Sequence, residues 1–314
     1  MRRTNRLEDQ QVVGLQQIST AITLGEAIKV YETHLKRRNV SSYTLQHEMD
    51  NLRAVVKRMP KDTLLLDIST EDLEKQVFDE MRQKLKAVTI NGRIKTIRRL
   101  FKVCVELNLC SVNVANQLTK VIEHPQSFPS LTLEQFKKIL SVIDMHTFTG
   151  LRDAVMISTM YDTALRLRET LSLEVSQVDL DQRFFRKVPG KNGKIEDIPF
   201  SRKLAGLLKK YLDVRGEFST TALFVTLDGK PIQRRTVQDR IHNLGKLAGI
   251  EGVRVSPHTF RHSLAREWVL NGGDPYVLQR VMRHSNMDMV RRYIHLWGSE
   301  IQEQHDKFSP LENM

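Results

Sequence analysis

Apolar residues recur at helical spacing through the first third of the chain. From Leu24 to Met59 they fall three or four positions apart, with an interruption at residues 39–42 (Asn-Val-Ser-Ser), and this predicts a helical hairpin. A third helix is expected after Ser69, whose hydroxyl can cap it, and a fourth from about Val88 to Glu106. Residues 22–123 therefore predict a bundle of four to five helices.

The pattern changes after this bundle. Residues 124–130 contain two prolines and show no helical period, which predicts an interdomain linker. Residues 131–314 then form a second, larger domain, with new helices expected to begin at Thr132 and Gly150. Residues 1–21 are polar and carry several basic side chains, so they are expected to form a flexible N-terminal arm.

One part of the second domain has the character of strands rather than helices. Residues 179–200 contain short runs of β-type residues on either side of residues 190–194 (Gly-Lys-Asn-Gly-Lys), and this arrangement predicts a β-hairpin. The sequence thus predicts a mainly α fold, in which the helical bundle precedes a larger, mostly helical domain with a small antiparallel β-sheet.

The chain is strongly basic. Its 49 Lys and Arg residues exceed its 37 Asp and Glu residues and give a formal net charge of +12, which favours a polyanionic partner, with nucleic acid as the first candidate. Solubilisation of the surface by surplus lysines is the alternative. In the fourth predicted helix, basic residues alternate with apolar ones, so this helix presents either a solvated face or contacts with DNA phosphates. The basic residues concerned are Arg93, Lys95, Arg98 and Arg99.

Several function classes lack their sequence signatures. There is no Walker lysine motif, no Gly-x-Gly-x-x-Gly fingerprint and no paired Cys-x-x-Cys, so nucleotide hydrolysis, redox cofactors and structural zinc are not predicted. The two cysteines, Cys104 and Cys110, match no metal-ligand pattern and fit a reducing compartment. The sequence contains no signal peptide and no apolar run long enough to span a bilayer, so a cytoplasmic protein without membrane contact is expected.

A short segment of the second domain carries groups suited to phosphate binding. A helix that begins at residues 256–257 (Ser-Pro) places His258 and Arg261 on one face of its first turn, where backbone N–H groups also face an anion. Taken alone this spacing is weak evidence, because the chain contains 10 histidines and many arginines. A surface pair without a function is the alternative.

Arg166 is a second candidate for anion binding. It lies where one apolar helix is expected to end and the next to begin. An arginine in apolar surroundings is costly unless it is paired or binds an anion. The sequence leaves both interpretations open, because Asp162 and Glu169 lie close enough in the chain to pair with the guanidinium.

Tyr293 is a candidate nucleophile. It follows His284 by nine residues, in a run with helical character. A phenol titrates at roughly pH 10 in water, so it becomes a useful nucleophile at neutral pH when cations stabilise the phenolate and a base removes the proton. Packing of the tyrosine ring in the core is the alternative for this residue.

The order and spacing of these residues resemble the tyrosine recombinase (phage integrase) family. Its first block, Thr-Gly-Leu-Arg-x-x-Glu, is similar to residues 163–169, and its hairpin lysine is matched by Lys191. Its His-x-x-Arg-His block is matched by residues 258–262, and its Leu-Gly-His-Ser block by residues 282–285, with Tyr293 at the family's tyrosine position. The resemblance extends over almost the whole chain, because the predicted bundle is similar to the family's core-binding domain.

Two positions depart from the family pattern. Ala164 and Arg283 stand where the family has glycine. The alanine is a mild change, whereas the arginine affects the turn that precedes His284. We expect Arg283 to add a contact with DNA phosphate.

The resemblance implies a site-specific DNA recombinase that breaks and rejoins strands through a covalent 3′-phosphotyrosyl intermediate. Tyr293 would attack the scissile phosphate, His258 would take the tyrosine proton, and Lys191 on the hairpin would protonate the departing 5′-oxygen. This chemistry stores the energy of the phosphodiester in the tyrosyl ester. No cofactor, ATP or metal is therefore expected.

The resemblance also assigns the groups that stabilise charge. Arg166 and Arg261 would clamp the non-bridging oxygens, because guanidinium groups match phosphate bidentately, and His284 would add a hydrogen bond. Glu169 is expected to orient this network without reacting. The six catalytic residues implied are thus Arg166, Lys191, His258, Arg261, His284 and Tyr293.

The implied partners are a double-stranded DNA recombination site and further copies of the chain. Family members act as tetramers on DNA, and an accessory DNA-bending protein is a further candidate partner. The tail from residue 298 to residue 314 is expected to dock either on a neighbouring protomer or on its own domain. Integration, excision and resolution of dimeric replicons all remain open as the biological task. The alternative functions are DNA relaxation of the type IB topoisomerase kind and a catalytically silent DNA-binding regulator.

Overall fold

Helices dominate the described part of the chain. The computed structural model describes residues 22–122, 128–190, 193–283, 286–297, 305–307 and 309–311. The chain divides into two compact units, Met1–Pro125 and Gln126–Met314. The predicted N-terminal arm and the greater part of the predicted linker lie outside the described residues. The mostly helical architecture with a small antiparallel sheet confirms the predicted fold class.

The first unit opens with the predicted helical hairpin. Helix α1 spans Leu24–Arg37 and helix α2 spans Ser42–Val56. The side chains of Thr23 and Ser41 accept hydrogen bonds from the first turns of α1 and α2, respectively, and so cap them. Between the helices the chain turns at Asn39, where φ is 51°, a conformation that asparagine tolerates better than most residues. The interruption in the apolar pattern therefore marks a turn with its own sequence signal.

Two further helices complete the described part of the first unit. Helix α3 begins after the capping residue Ser69 and passes through an α-helical turn (Thr70–Asp72), a π-helical stretch (Leu73–Phe78) and a second α-helical segment (Asp79–Lys84). Helix α4 spans Ala87–Glu106 and packs against α1, α2 and α3. Short 3₁₀ turns lie at Leu65–Asp67 and Val114–Gln117.

The core of the first unit contains a buried carboxylate. Glu48 is 3% exposed. Its Oε2 accepts a hydrogen bond from the Tyr31 hydroxyl at 3.0 Å, and its Oε1 accepts one from Nη1 of Arg99 at 2.5 Å. A buried charge requires such partners, because it has lost its contact with water. The two hydrogen bonds of Glu48 therefore connect α1, α2 and α4 inside the bundle.

The second unit contains the remaining named helices. They are α5 (Leu133–Ser141), α6 (Phe148–Thr163), α7 (Leu167–Leu171), α8 (Arg202–Arg215), α9 (Arg234–Leu247), α10 (Pro257–Leu270), α11 (Pro275–Val281) and α12 (Asp288–Trp297). Thr132 caps α5, as predicted. The helix expected to begin at Gly150 begins two residues earlier, because Thr147 caps it by accepting a hydrogen bond from the Gly150 N–H at 3.1 Å. Within the described residues, no helix combines the length and apolar character that a bilayer crossing requires.

A three-stranded antiparallel sheet lies between α7 and α8 in the chain. Its strands are β1 (Val178–Asp179), β2 (Phe184–Pro189) and β3 (Ile195–Pro199), in the order β1-β2-β3. The β2–β3 pair confirms the predicted hairpin, with Phe185 opposite Ile198 and an irregularity between Phe185 and Val188. Phe185, Val188 and Ile198 are buried, so the hairpin is anchored in the core of the second unit.

Helix α6 organises the second unit. Apart from its two ends it is buried on nearly every side, and α8 and α10 both pack against it. A second apolar cluster joins α10, α11 and α12 to the residue that follows α6. Its buried members are Ala164, Ala265, Leu278, Met282, Val290 and Tyr293. This cluster brings the segment after α6 and the tyrosine helix α12 into one part of the fold.

Candidate active site

Arg166 lies in the short junction between α6 and α7. The chain turns after α6 at Ala164, where φ is 53°, and Arg166 is the residue that precedes α7. The Glu169 carboxylate accepts hydrogen bonds from the backbone N–H of Arg166 at 2.9 Å and from its Nη1 at 3.0 Å. Glu169 is 6% exposed. A buried carboxylate thus fixes both the backbone and the guanidinium of Arg166.

These contacts settle which acid pairs with Arg166. Of the two candidates in the sequence, Glu169 forms the ion pair, whereas Asp162 accepts a hydrogen bond from the backbone N–H of Ser201 at 2.8 Å. The Arg166 side chain keeps 29% of its surface exposed. Since a guanidinium carries five N–H donors, an ion pair through Nη1 is compatible with anion binding by the same group.

His258 and Arg261 lie in the first turns of α10, as predicted. Ser256 caps this helix and Pro257 occupies its first position. Burial, and then the charges of Arg261, Arg166 and Arg234, lower the pKa of His258 below its usual value. His258 is therefore an uncharged imidazole at neutral pH, which is the form able to accept a proton.

Arg261 connects three segments of the site. Its guanidinium is nearly fully buried and donates hydrogen bonds to the carbonyl oxygens of Ala164 and Met282. The first carbonyl belongs to the turn before Arg166, and the second precedes Arg283. Burial is the main reason why the pKa of Arg261 falls to about 10, with the charge of Arg166 adding to it. The guanidinium remains charged at neutral pH in surroundings of low polarity.

Tyr293 lies on α12 with its side chain fully buried. Its hydroxyl is 2.8 Å from Nδ1 of His262. Burial raises the pKa of Tyr293 to about 12, although the charge of Arg261 opposes this shift. Burial, and then the charges of His258 and Arg261, lower the pKa of His262 to about 4. The phenol is therefore protonated and the imidazole neutral at pH 7.

Aromatic rings surround the tyrosine. The ring of Phe128 lies 4.8 Å from that of Tyr293 and 4.9 Å from that of His262. The Trp297 ring stacks on Tyr293 at 5.5 Å and nearly parallel, with an angle of 8°. These rings exclude water from the phenol and are the structural source of its raised pKa.

Arg283 binds the β2–β3 hairpin. Its side chain is 6% exposed. Nε donates to Oε2 of Glu196 at 2.8 Å, and Nη2 donates to the carbonyl oxygen of Val188 at 3.1 Å and to that of Lys194 at 3.4 Å. The predicted contact of Arg283 with DNA phosphate stays a prediction. Lys191 and His284 lie outside the described residues.

A cleft of about 970 Å³ is lined in part by Arg166 and Arg283. It lies between the β2–β3 hairpin, helix α11 and the junction that carries Arg166. Its basic lining contains Arg166, Lys194, Arg280 and Arg283, and its acidic lining contains Glu196 and Asp197. The cleft places Arg166 beside an open space rather than in the closed core.

The cations predicted on the fourth helix have different surroundings in the first unit. Lys95 is exposed. Arg98 donates to the carbonyl oxygens of Ala115, Asn116 and Leu118, and Arg99 pairs with buried Glu48. Arg93 is partly buried, with Nη1 3.2 Å from Sδ of Met81. DNA contacts by these four residues stay predictions, and Arg98 and Arg99 also stabilise the bundle itself.

Sequence reasoning missed His262 and Phe128. His262 belongs to the His-x-x-Arg-His block and lies one helical turn after His258, so its spacing was a usable signal for a place on the same face of α10. Phe128 falls in the predicted linker, and its contact with Tyr293 joins residues 165 positions apart. Nothing in the local pattern indicates that contact.

Fold and site together define a class of protein. The second unit is a mostly helical domain with a small antiparallel sheet, in which the partly buried His262 contacts the fully buried Tyr293 and the buried guanidinium of Arg261 acts on the same phenol. The model of the phage integrase family matches residues 129–299, more than half of the chain. The chain belongs to this family and is a tyrosine recombinase, an enzyme of site-specific DNA recombination.

Curated relatives and solved structures agree with this family. The chain is 29% identical over 247 residues to the tyrosine recombinase XerD of Ralstonia nicotianae, covering 77% of this chain and 80% of the relative. It is 26% identical over 294 residues to XerC of Pelobacter propionicus, covering 91% and 96%. Its fold is similar to that of lambda integrase in a dimer bound to a COC′ core site, with a TM-score of 0.76, 17% identity and coverage of 92% and 81%.

Proposed function

We propose that this recombinase cleaves and rejoins DNA by transesterification through Tyr293. The observation that supports this most is the pair of hydrogen bonds from Arg261 to the carbonyl oxygens of Ala164 and Met282. Through them, one buried cation joins the Arg166 turn to the segment before His284. Groups that are far apart in the sequence thereby converge on the part of the fold that holds the tyrosine.

In the cleavage step, the Tyr293 oxygen forms a bond to the scissile phosphorus and the bond from phosphorus to the 5′-oxygen breaks. His258 takes the proton of the phenol, and Lys191 gives a proton to the departing 5′-oxygen. Rejoining runs the same step backwards, with a 5′-hydroxyl as the attacking group. Proton and charge therefore balance without a cofactor.

The phosphate is held by cations. Arg166 and Arg261 bind the non-bridging oxygens, whose charge grows in the pentavalent transition state, and His284 adds a hydrogen bond. Glu169 orients the Arg166 guanidinium through their ion pair of 3.0 Å. The same cations stabilise the phenolate that forms when the phenol loses its proton. This stabilisation offsets the high pKa that burial gives Tyr293.

His262 is a second candidate for the proton acceptor. Its Nδ1 lies 2.8 Å from the Tyr293 hydroxyl, within hydrogen-bonding reach of the proton to be moved. Its lowered pKa keeps it neutral at pH 7. In this proposal, His262 holds the phenol in the buried state and His258 accepts its proton once DNA is bound.

The proposed partner is a double-stranded recombination site. Residues 22–123 serve as the core-binding domain, residues 124–130 as the linker and residues 131–314 as the catalytic domain. The candidate phosphate contacts are Arg93, Lys95, Arg98, Arg99 and Arg283. The net charge of +12 supports a DNA partner. A substrate of this kind places the reaction in the cytoplasm.

Strand exchange between two duplexes requires two cuts on each, so we propose a homotetramer on DNA, with an accessory DNA-bending protein as a further partner. Structures of similar fold support oligomerisation, since lambda integrase forms a dimer on a COC′ core site and a tetramer on a Holliday junction. Integration, excision and resolution of dimeric replicons are all compatible with this assembly.

Trapping of the covalent adduct tests the proposal. The purified protein is incubated with fragmented genomic DNA of its own host, denatured, and the DNA that remains attached is sequenced. We expect one recurrent sequence with protein on its 3′-phosphate, and no adduct with Tyr293→Phe, which lacks only the attacking oxygen. Tyr276→Phe, at an exposed position on α11, is the matched control and should keep the adduct.

Two outcomes would overturn the proposal. An undiminished adduct in Tyr293→Phe rules out Tyr293 as the nucleophile, and a wild-type protein that binds DNA before denaturation but retains none after it is a silent DNA-binding regulator. A third measurement, exchange between two labelled duplexes that carry the trapped sequence, separates recombination from relaxation. Relaxation without exchange identifies the activity of a type IB topoisomerase.

A further inference from the structure

Arg283 has a backbone conformation that favours glycine. It follows helix α11 with φ of 51°, in the left-handed region, and its N–H bonds to the carbonyl oxygen of Arg280 at 3.0 Å. A residue with a side chain is strained there, and strain of this kind persists where other contacts hold it in place. The side chain of Arg283 therefore has to supply contacts that glycine lacks.

Those contacts go to both strands of the hairpin. Nη2 donates to the Val188 carbonyl on β2 and to the Lys194 carbonyl at the start of β3, and Nε donates to Glu196. The fit is close, because a Cβ added at Gly190 would lie 2.4 Å from Nη2 of Arg283. A side chain at residue 190 would therefore displace the guanidinium from its present position against the strands.

The same guanidinium also faces the phosphate-binding junction. Nη1 of Arg283 lies 3.8 Å from Oε2 of Glu169. This nitrogen is buried, and it has no hydrogen-bond partner among the described residues. Glu169 in turn holds the backbone and guanidinium of Arg166. A chain of charge-assisted contacts therefore runs from the hairpin through Arg283 to Glu169 and Arg166.

We propose that Arg283 is a positioning residue, which fixes the β2–β3 hairpin relative to Arg166 and so sets the supply of a proton to the leaving 5′-oxygen. The proposal rests on the proposed function. Gly190, which packs on the Arg283 guanidinium, directly precedes Lys191 in the chain. Arg283 therefore holds described residues on either side of Lys191 in the chain, Val188 before it and Lys194 after it.

Hydrogen exchange in the DNA-free protein tests the first half of this inference. Arg283→Gly should speed amide exchange in peptides that cover residues 184–199, because the hairpin loses its partner for both strands. Arg183→Gly is the matched control. Arg183 also has a positive φ, 57°, in the β1–β2 turn, and among the described residues its side chain has no hydrogen bond or ion pair. The control releases the same backbone strain and should leave exchange of the β2–β3 hairpin unchanged.

Cleavage of two DNA substrates tests the second half. One is the duplex identified by adduct trapping, and the other is the same duplex with sulfur in place of the scissile 5′-oxygen. A thiolate leaves without a proton, because thiols are far more acidic than alcohols. Arg283→Gly should cleave the oxygen substrate about 100-fold more slowly than wild type, and the sulfur substrate within roughly threefold of wild type.

The outcomes separate this inference from the proposed function. An equal loss on both substrates contradicts a function in leaving-group protonation and leaves only a structural one, so the inference fails. Unchanged cleavage of the oxygen substrate by Arg283→Gly also overturns it. If adduct trapping with the wild-type protein yields no such duplex, the proposed function itself fails. Arg183→Gly should cleave both substrates at the wild-type rate, and Arg283→Lys, which keeps the charge without the planar fork, should recover part of the lost rate.

Discussion

The hydroxyl of Tyr293 lies 2.8 Å from Nδ1 of His262, in a place where the tyrosine has no solvent exposure. Burial shifts the pKa values of the two groups in opposite directions. It raises the pKa of the phenol to about 12 and lowers that of the imidazole to about 4. Both are therefore neutral at pH 7, and the buried surroundings hold the phenol in its protonated form.

The lowered pKa of His262 makes stability depend on pH. In the unfolded chain the imidazole binds a proton at roughly pH 6.5, whereas in the folded protein it does so only near pH 4. Between these values the unfolded state binds more protons, so the unfolding free energy falls as the pH is lowered through this window. Urea denaturation at pH values from 7 to 4 should show this slope, and His262→Asn should reduce it.

His146→Asn, at an exposed position before α6, is the control for that measurement. It should leave the slope as in wild type. His258, whose pKa is also lowered by burial, contributes to the same window, so the slope of His262→Asn should be reduced and not abolished. A slope in His262→Asn equal to that of wild type contradicts a buried, neutral His262.

Phe128 should control the acidity of Tyr293. Its ring covers both the phenol and His262, and burial is the main cause of the raised pKa of Tyr293. Phe128→Ala admits water, so we expect the pKa of Tyr293 to move from about 12 towards 10. Loss of the half-buried ring should cost roughly 1–2 kcal/mol of unfolding free energy. Ultraviolet titration of the tyrosines, with a Tyr293→Phe protein subtracted in each background, isolates the change.

Phe148→Ala is the matched control for the Phe128 experiment. Phe148 is also half-buried and contacts a tyrosine, Tyr211, at 6.0 Å between ring centroids. Its removal should lower stability to a similar degree without moving the Tyr293 titration. A Tyr293 pKa that stays at about 12 in Phe128→Ala would show that the other neighbours of the phenol suffice to exclude water.

Local signals predicted most of the scaffold and part of the site. The caps at Thr132 and Ser256, the Asn39 turn and the β2–β3 hairpin each depend on a few neighbouring residues, so the sequence indicates them directly. The junction of Arg166 with Glu169 is likewise local. Contacts between distant segments are decided by packing of the whole domain, and no local pattern reports them.

The tyrosine environment and the function of Arg283 are examples of such long-range contacts. Phe128 and Tyr293 lie at opposite ends of the second unit's sequence, and Arg283 reaches Glu196, 87 positions earlier in the chain. Arg283 marked an unusual position in the sequence because glycine was expected there. The sequence could identify the exception but not the hairpin that explains it.

Ala164 should carry backbone strain that glycine removes. Its φ of 53° lies in the left-handed region, which costs a residue with a Cβ roughly 1–2 kcal/mol. Ala164→Gly should therefore raise the unfolding free energy by about 0.5–1 kcal/mol, after the entropy that glycine adds to the unfolded chain is subtracted. Chemical denaturation measures this difference.

Ala205→Gly is the control, because it should change the unfolding free energy in the opposite direction. Ala205 lies within helix α8, where glycine should lower stability by about 1 kcal/mol. If Ala164→Gly is destabilised as much as Ala205→Gly, the left-handed conformation at Ala164 imposes no strain and the prediction is wrong. Lost packing of the buried methyl group costs about 0.8 kcal/mol and lowers this gain towards zero, so the decisive result is a change in unfolding free energy clearly more favourable than that of Ala205→Gly.

Substitutions at Lys95 and Arg99 should distinguish a loss of DNA binding from a loss of stability of the helical bundle. Lys95 is exposed, whereas Arg99 pairs at 2.5 Å with Glu48, whose side chain is 4% exposed. Lys95→Ala should leave the unfolding free energy unchanged within about 0.5 kcal/mol and reduce the slope of log binding constant against log salt concentration by about 1. Arg99→Ala leaves a buried carboxylate without its cation, so it should cost roughly 2 kcal/mol of stability.

The double variant Arg99→Ala/Glu48→Gln tells whether Arg99 also contacts DNA. Removal of the buried negative charge should restore most of the stability lost in Arg99→Ala, because the amide needs no cation beside it. If Arg99 binds a phosphate, the salt slope of the double variant stays reduced by about 1 although stability has recovered. A wild-type slope in the double variant assigns Arg99 to the bundle alone, and a wild-type slope in Lys95→Ala removes this face of α4 from the DNA interface.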